Sequence, residues 1–287
     1  MEPSEDTPKP LGALAQIGQF FFSVFKYVDD LPLEDKQPIK EAFAACFSAD
    51  PRLRATAKLL THQDDELRRV LSGAGWLVLP RDINGPIKRE LLTLGRQGNP
   101  SLIDSYLCSL FNGENTSKLQ GKIESWFALP YLNDRRQIIL DAAAAHTSRK
   151  WTLSIPALFP LVDGLTRRFR RERLRPGKKS AGAMQVGRVA GYYRRKEPKL
   201  FGVSLDDFVR KYLYATFDFN EGNPPSSINR HGILHGEIPD YATEANSLRV
   251  ILLLDTIAQF IRAFEEKRRK QRTRVPSGQK RMDTPKR

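Results

Sequence analysis

Apolar residues recur at three- and four-residue steps along most of the chain, the spacing that lines one face of an α-helix. Leu14, Ile17, Phe20, Phe21, Phe25 and Val28 form the first stripe, which reads as a core face and is broken by Asp29, Asp30 and Pro32. A second helix is predicted from Ile39 to Phe47, with Ala42, Phe43 and Cys46 inward, and a third from Leu53 to Leu71 with charge pairs such as Glu66 and Arg69. WLVLP, from Trp76 to Pro80, interrupts as a short extended or buried loop. Helices around Ile87 to Leu94 and Leu102 to Leu110 follow, with stops at Gly95, Asn99, Gly113 and Asn115.

The helical signal strengthens in the second half. DRRQIILDAAAAH, from Asp134 to His146, carries Ile138, Ile139, Ala142 and Ala145 at helical spacing and an alanine run of high propensity. His146 is expected to cap the end of that helix, where a cation is favoured. From Trp151 to Phe169 the apolar face is Ile155, Leu158, Phe159, Val162 and Leu165, interrupted by Asp163. Pro156 and Pro160 suit first turns, because deeper in a helix each removes a donor and kinks it. A helix is predicted from Leu205 to Phe219, ended by Gly222, Asn223, Pro224 and Pro225, and a last one from Thr243 and Glu244 to about Arg268. The fold class is therefore all-α. The expected layout is a disordered leader over 1–10, a helical domain over 11–125, a second over 126–266 and a basic, disordered tail over 267–287.

Charge adds a partner to this picture. The 287 residues carry a formal net charge of +14, which implies a polyanion, and nucleic acid is the commonest. The excess concentrates between Arg167 and Lys199, in a glycine-interrupted stretch holding Arg170, Arg171, Arg173, Arg175, Lys178, Lys179, Arg188, Arg194, Arg195 and Lys196. Tyr192 and Tyr193 sit beside three of these cations, so bases can stack while phosphates are neutralised; this stretch is the expected RNA-binding surface. The acidic, proline-rich start lacks the form of a signal peptide, and no run approaches the ~20 apolar residues of a membrane span. Cys46 and Cys108 are too few for a disulfide framework, have no C-x-x-C spacing and read as buried hydrophobes. A soluble, cytoplasmic protein is expected.

Candidate chemistry gathers at SINRHGILHG, from Ser227 to Gly236, which holds two of the four histidines. An arginine can hold a phosphate bidentately and stabilise charge developing on it, and a histidine can move a proton near neutrality. Arg230 and His235 together suffice to activate a ribose 2′-hydroxyl against its neighbouring phosphate, which requires RNA as substrate. His231 and His235 also have the i, i+4 spacing of a zinc helix. However, HGILH lacks the glutamate of H-E-x-x-H, and nothing beyond Glu237 or Asp240 offers a third ligand, so neither metal nor cofactor is expected. The competing reading is structural, with Arg230 and the histidines satisfying helix ends and buried carbonyls. His62, alone in a polar turn, reads as a solvated surface residue.

NRHGILHG followed by DYATEANSLRVILLLD, preceded by the alanine-rich helix ending at His146 and by IPALFPLVDGL, resembles the HEPN superfamily, especially its abortive-infection-like bacterial members. The resemblance covers roughly Leu132 to Phe264. It implies a helical bundle that dimerises to bring two R-x4-6-H motifs together, and a metal-independent endoribonuclease of a toxin or antiphage system, with an antitoxin as a regulatory partner. The products would carry cyclic phosphate and 5′-hydroxyl ends. Carried over, Arg230 and His235 form the catalytic pair, Asp163 supports it from a preceding helix, and Asn229 and His231 orient it. The chain departs from the family pattern in two places. His231 stands where Asn is frequent, so either histidine can be the base, and Asp163 stands where Glu is more frequent. Some members of the family have lost nuclease activity and act as binding modules, which leaves a non-catalytic nucleic-acid or protein-interaction role as the alternative.

Overall fold

The computed structural model describes residues 51–112, 116–169, 201–202, 205–216 and 226–274. The expected leader, the helices before Pro51, Cys46, the cationic stretch from Arg170 to Lys196 and the tail beyond 274 lie outside the described residues. The chain divides into two compact units, Met1–Gln63 and Asp64–Arg287. In order, the described elements are α1 (Pro51–Gly73), β1 (Leu77–Val78), α2 (Gly85–Arg96), α3 (Pro100–Asn112), α4 (Thr116–Trp126), α5 (Pro130–Asn133), α6 (Arg136–Thr147), α7 (Trp151–Phe169), β2 (Phe201–Gly202), α8 (Leu205–Asp207), α9 (Arg230–Leu234) and α10 (Glu244–Arg274). The fold is predominantly helical.

The second unit is built around α10. Residues 250–258 of this helix are buried without interruption, the mark of a helix covered on every side. It packs against α3, α4, α6 and α7 and against β1. Leu91, Leu107, Trp126, Ile139, Phe159, Phe208 and Leu254 belong to one apolar core. Helices on both sides of residue 125 thus share that core, and the division between units falls at Gln63. α10 itself runs on through Arg274, past the expected end near Arg268.

Two buried polar networks fasten α10 to its neighbours. Arg249 donates to Asp104 at 2.7 Å, to the Ala74 carbonyl at 2.8 Å and to Asn246 at 3.0 Å, and its guanidinium lies 4.5 Å from the centre of the Trp76 ring. Trp76 donates in turn to Asp104 at 2.7 Å. One turn and a half further on, Asp255 accepts from Trp126, Lys122 and Arg81, each at 2.9 Å, and Lys122 is also held by both oxygens of Asp82 at 2.8 Å.

Several expectations need correction. His146 lies in the last turn of α6, but its ring is buried and does not cap. Nδ1 is 2.7 Å from Ser247 Oγ and Nε2 is 3.1 Å from Asn112 Oδ1. Burial holds its pKa below the ordinary value against the opposing pull of Glu244. Pro156 and Pro160 lie inside α7, not in its first turn. The Thr152 carbonyl, which an N–H at position 156 would have bonded, instead accepts from the Tyr241 hydroxyl at 3.2 Å. WLVLP, by contrast, is extended and buried as expected from Trp76 to Leu79, and two of its residues are strand: Leu77 and Val78 pair antiparallel with Gly202 and Phe201. The predicted helix from Leu205 shortens to one α-turn followed by a π-helical segment, Phe208–Leu213, closed by a bond from Tyr214 N to Val209 O of 2.8 Å. Cys108 is buried as expected; burial, helped by Glu244 and Asp104 against Arg249, pushes its thiol up to about 12. Among the described residues no helix is long and apolar enough to cross a membrane.

Gly95 marks a close approach of α2 to α1. A β-carbon there would overlap the branched Val70 side chain. Gly to Ala in a helix ordinarily gains about 1 kcal/mol. At this position Gly95→Ala is expected to reverse that sign and cost about 1–3 kcal/mol as the two helices are forced apart, a loss that chemical denaturation measures directly.

Candidate active site

Asn229 sets the start of α9. Its backbone is extended (φ −63°, ψ 118°), and its side chain accepts from Gly232 N at 3.0 Å, closing the first turn as an N-cap. The other end of the amide donates to the Ala215 carbonyl at 2.9 Å, and the residue is fully buried. Both amide functions are engaged, so Asn229 positions Arg230 and presents nothing to a ligand. Gly232 is the seat of the turn: a β-carbon there would come 2.6 Å from Ile238 Cδ1. The short N-R-H-G sequence therefore encodes a cap, a projecting cation and a close backbone contact.

Arg230 reaches back to α7, where its Nη2 meets Asp163 Oδ2 at 3.0 Å; the side chains are 24% and 14% exposed. The structure thus brings together Arg230 and Asp163, which the sequence reading paired only by resemblance. Burial pushes the Asp163 carboxyl above the usual carboxylate range, and Arg230, Arg167 and His231 pull against it without reversing the shift. One ion pair does not satisfy these groups. Asp163 Oδ1 and Arg230 Nε are buried without a hydrogen-bond partner, and so is the hydroxyl of Tyr214. Buried polar atoms are ordinarily paired, so the unpaired atoms of Asp163 and Arg230 set this ion pair apart from one whose bonds are all made.

Tyr214 joins the cation to the histidines. Its ring centre lies 5.9 Å from the Arg230 guanidinium and 6.5 Å, edge-on, from the His231 ring. His231 then stacks on His235, with ring centres 6.3 Å apart and planes 12° apart. Both histidines are exposed. α9 ends at Leu234, and His235 is its C-cap (φ −95°, ψ 0°). The contacts run from Asp163 to Arg230, Tyr214, His231 and His235, so His231 stands between Arg230 and His235 along them. Sequence reasoning missed Tyr214. It falls just past the apolar positions of its helix, and only the π-turn that carries its amide to Val209 aims it at Arg230.

The remaining expected site residues are placed as follows. Arg170, Arg171, Arg173, Arg175, Lys178, Lys179, Arg188, Tyr192, Tyr193, Arg194, Arg195 and Lys196 lie outside the described residues. Of the cationic run only Arg167 and Arg168 are described, and Arg168 meets Asp134 at 3.6 Å. Among the described residues no three His, Cys, Asp or Glu side chains are grouped to hold a metal ion. Comparison with protein-family models, with curated proteins and with solved structures finds no match to this chain.

Proposed function

We propose that the protein is a metal-independent endoribonuclease of HEPN type, working as a cytoplasmic homodimer in a toxin or antiphage setting. The observation that carries this reading is the Asp163–Arg230 pair with its unsatisfied donors and acceptor, one aromatic ring away from two stacked, exposed histidines. Asp163 holds one Arg230 nitrogen and fixes the guanidinium plane, and the exposed part of the guanidinium is left to a phosphate oxygen. In the reaction the ribose 2′-oxygen forms a bond to the adjacent phosphorus and the bond from phosphorus to the 5′-oxygen breaks. One imidazole takes the 2′-hydroxyl proton, and the leaving 5′-oxygen receives a proton from the other. Arg230 offsets charge developing on the phosphoryl oxygens. The products are a cyclic phosphate and a 5′-hydroxyl. His235 is the first choice as the proton-transfer residue and His231 the second. The cationic stretch from Arg170 to Lys196 would collect the RNA.

The test is incubation of the full chain, and of an Arg230→Ala/His235→Ala double variant, with total RNA in chelator, followed by analysis of the product ends. Cleavage by the parent alone, with cyclic phosphate ends, is the expected result. A requirement for added metal ion would overturn the mechanism. Equal, salt-dependent RNA binding by both proteins with cleavage by neither would instead assign a non-catalytic binding module.

A further inference from the structure

A cleft lies elsewhere in the Asp64–Arg287 unit and shares no residue with the site above. It is a cleft of about 490 Å3 between the segment before α2, the end of α3, α4 and the middle of α10. Arg81, Lys118, Lys122 and Arg262 line it with one acid, Asp82. The charges do not cancel. Lys122 is claimed by Asp82 and Asp255, and Arg81 by Asp255, so two cations meet two carboxylates. Lys118 and Arg262 remain, and among the described residues no carboxylate pairs with Arg262. Arg262 is nonetheless held in place: Nη1 donates to Gln259 at 3.3 Å and Nη2 to the Ser125 carbonyl. Its Nε is buried with no acceptor. A fixed guanidinium with an unused donor and no counter-charge is a half-built anion site.

Its apolar lining is Ile87, Leu110 and Phe111. The volume falls in the range of small-molecule sites, about 300–1,000 Å3. We propose that this cleft binds a small phosphate monoester with a flat, weakly polar body, of the size of a nucleoside monophosphate: Arg262 and Lys118 hold the phosphate, and Ile87, Leu110 and Phe111 cover the body. The inference stands independently of the nuclease reading. A free nucleotide and the phosphorylated end of an RNA strand present the same chemistry, and the cleft's size favours the free nucleotide.

Calorimetric titration of the full chain at physiological salt tests it, with adenosine monophosphate, adenosine, and a trinucleotide with and without a 5′-phosphate as probes. The expected result is saturable 1:1 binding of the monophosphate, about tenfold or more tighter than adenosine, weakened by about tenfold in both Lys118→Ala and Arg262→Met. Lys118 is exposed, so its variant keeps the test valid if Arg262→Met is poorly folded. Preference for the 5′-phosphorylated trinucleotide over the monophosphate, with the same variant dependence, would place the phosphate on an RNA end. Equal binding of adenosine and its monophosphate, binding unchanged in both variants, or no saturable binding would each overturn the proposal.

Discussion

Arg230→Ala is expected to lower the rate of RNA cleavage by about 10²–10³-fold, the usual effect of removing one donor aimed at developing charge. On the proposed function RNA affinity should change little, because a chain of net charge +14 offers many other cations to the phosphates. The fold should survive. Removing the guanidinium strands Asp163, but that carboxyl is already raised by burial and can take up a proton instead of remaining a buried charge. Asp163→Asn separates positioning from chemistry. It keeps a neutral hydrogen bond to Arg230 and should reduce the rate less, with the loss in turnover and not in substrate affinity. The linkage sign supplies a second readout. A carboxyl whose folded pKa lies above its unfolded one favours the folded state at low pH, and that contribution is lost as pH rises through the folded value. The Asn variant escapes the loss, so at pH 8 it should be at least as thermostable as the parent. Single-turnover rates for both variants, with melts at pH 5 and pH 8, measure these effects. Parent-like cleavage by Arg230→Ala would remove Arg230 from the mechanism.

Local signals were legible in the sequence, and distant ones were not. The helical periodicities around Ile139, Phe159 and Leu252 follow from spacing alone, and they hold in the structure. Local chemistry sets those features, because a helical stripe repeats within one turn. By contrast, β1 pairs with a partner more than a hundred residues away, and no local pattern encodes that pairing. The placement of Pro156 was misjudged for a similar reason. A helix tolerates proline once a distant donor satisfies the freed carbonyl, and here that donor is Tyr241. His146 looked like a cap because its sequence position allows one, whereas its partners, Ser247 and Asn112, come from two other helices.

The site shows the same limit. Asn229, Arg230, His231 and His235 stood out as a cluster in sequence, but the face that Arg230 presents depends on where α7 lies. Arg230 and His235 are five positions apart in sequence, and on a continuous helix that spacing would turn them about 140° apart. Tyr214 and His231 together bridge the gap, and the position of Tyr214 follows a π-turn that spacing does not announce. Asp255 is the plainest omission. In sequence it merely bounds the apolar run Val250 to Leu254, yet it is among the most deeply buried charges in the unit.

Asp255→Ala is accordingly expected to be the most damaging single substitution to stability. The carboxylate is buried and satisfies the Trp126 indole N–H, Lys122 and Arg81 at once. Burial alone would raise its pKa. Lys122, the Trp126 hydrogen bond and Arg81 together overcome that penalty and hold the carboxyl below its usual range. Removing it orphans the indole and leaves Lys122, itself only 8% exposed, with Asp82 as its remaining counter-charge. Breaking a buried pair from one side costs about 3–5 kcal/mol. For a unit of this size that corresponds to a fall in Tm of about 10 °C. Arg81 adds little to the sum, because its side chain is 47% exposed and its share is screened by water. The acid weakening follows from two depressed groups, set against the opposite contribution of the raised Asp163 carboxyl. His146 stabilises the fold above its unfolded pKa of about 6.5 and loses that contribution as pH falls through its lower folded value. Asp255 behaves alike from about 3.9 downward. Acid should therefore weaken the parent in two stages. His146→Gln should blunt the first and Asp255→Ala the second, the latter having already lost at pH 7 what the parent loses only in strong acid. Thermal melts of the three proteins from pH 7.5 to pH 3 decide the matter, and equal Tm for the parent and Asp255→Ala at pH 7 would show that the network around α10 contributes nothing net.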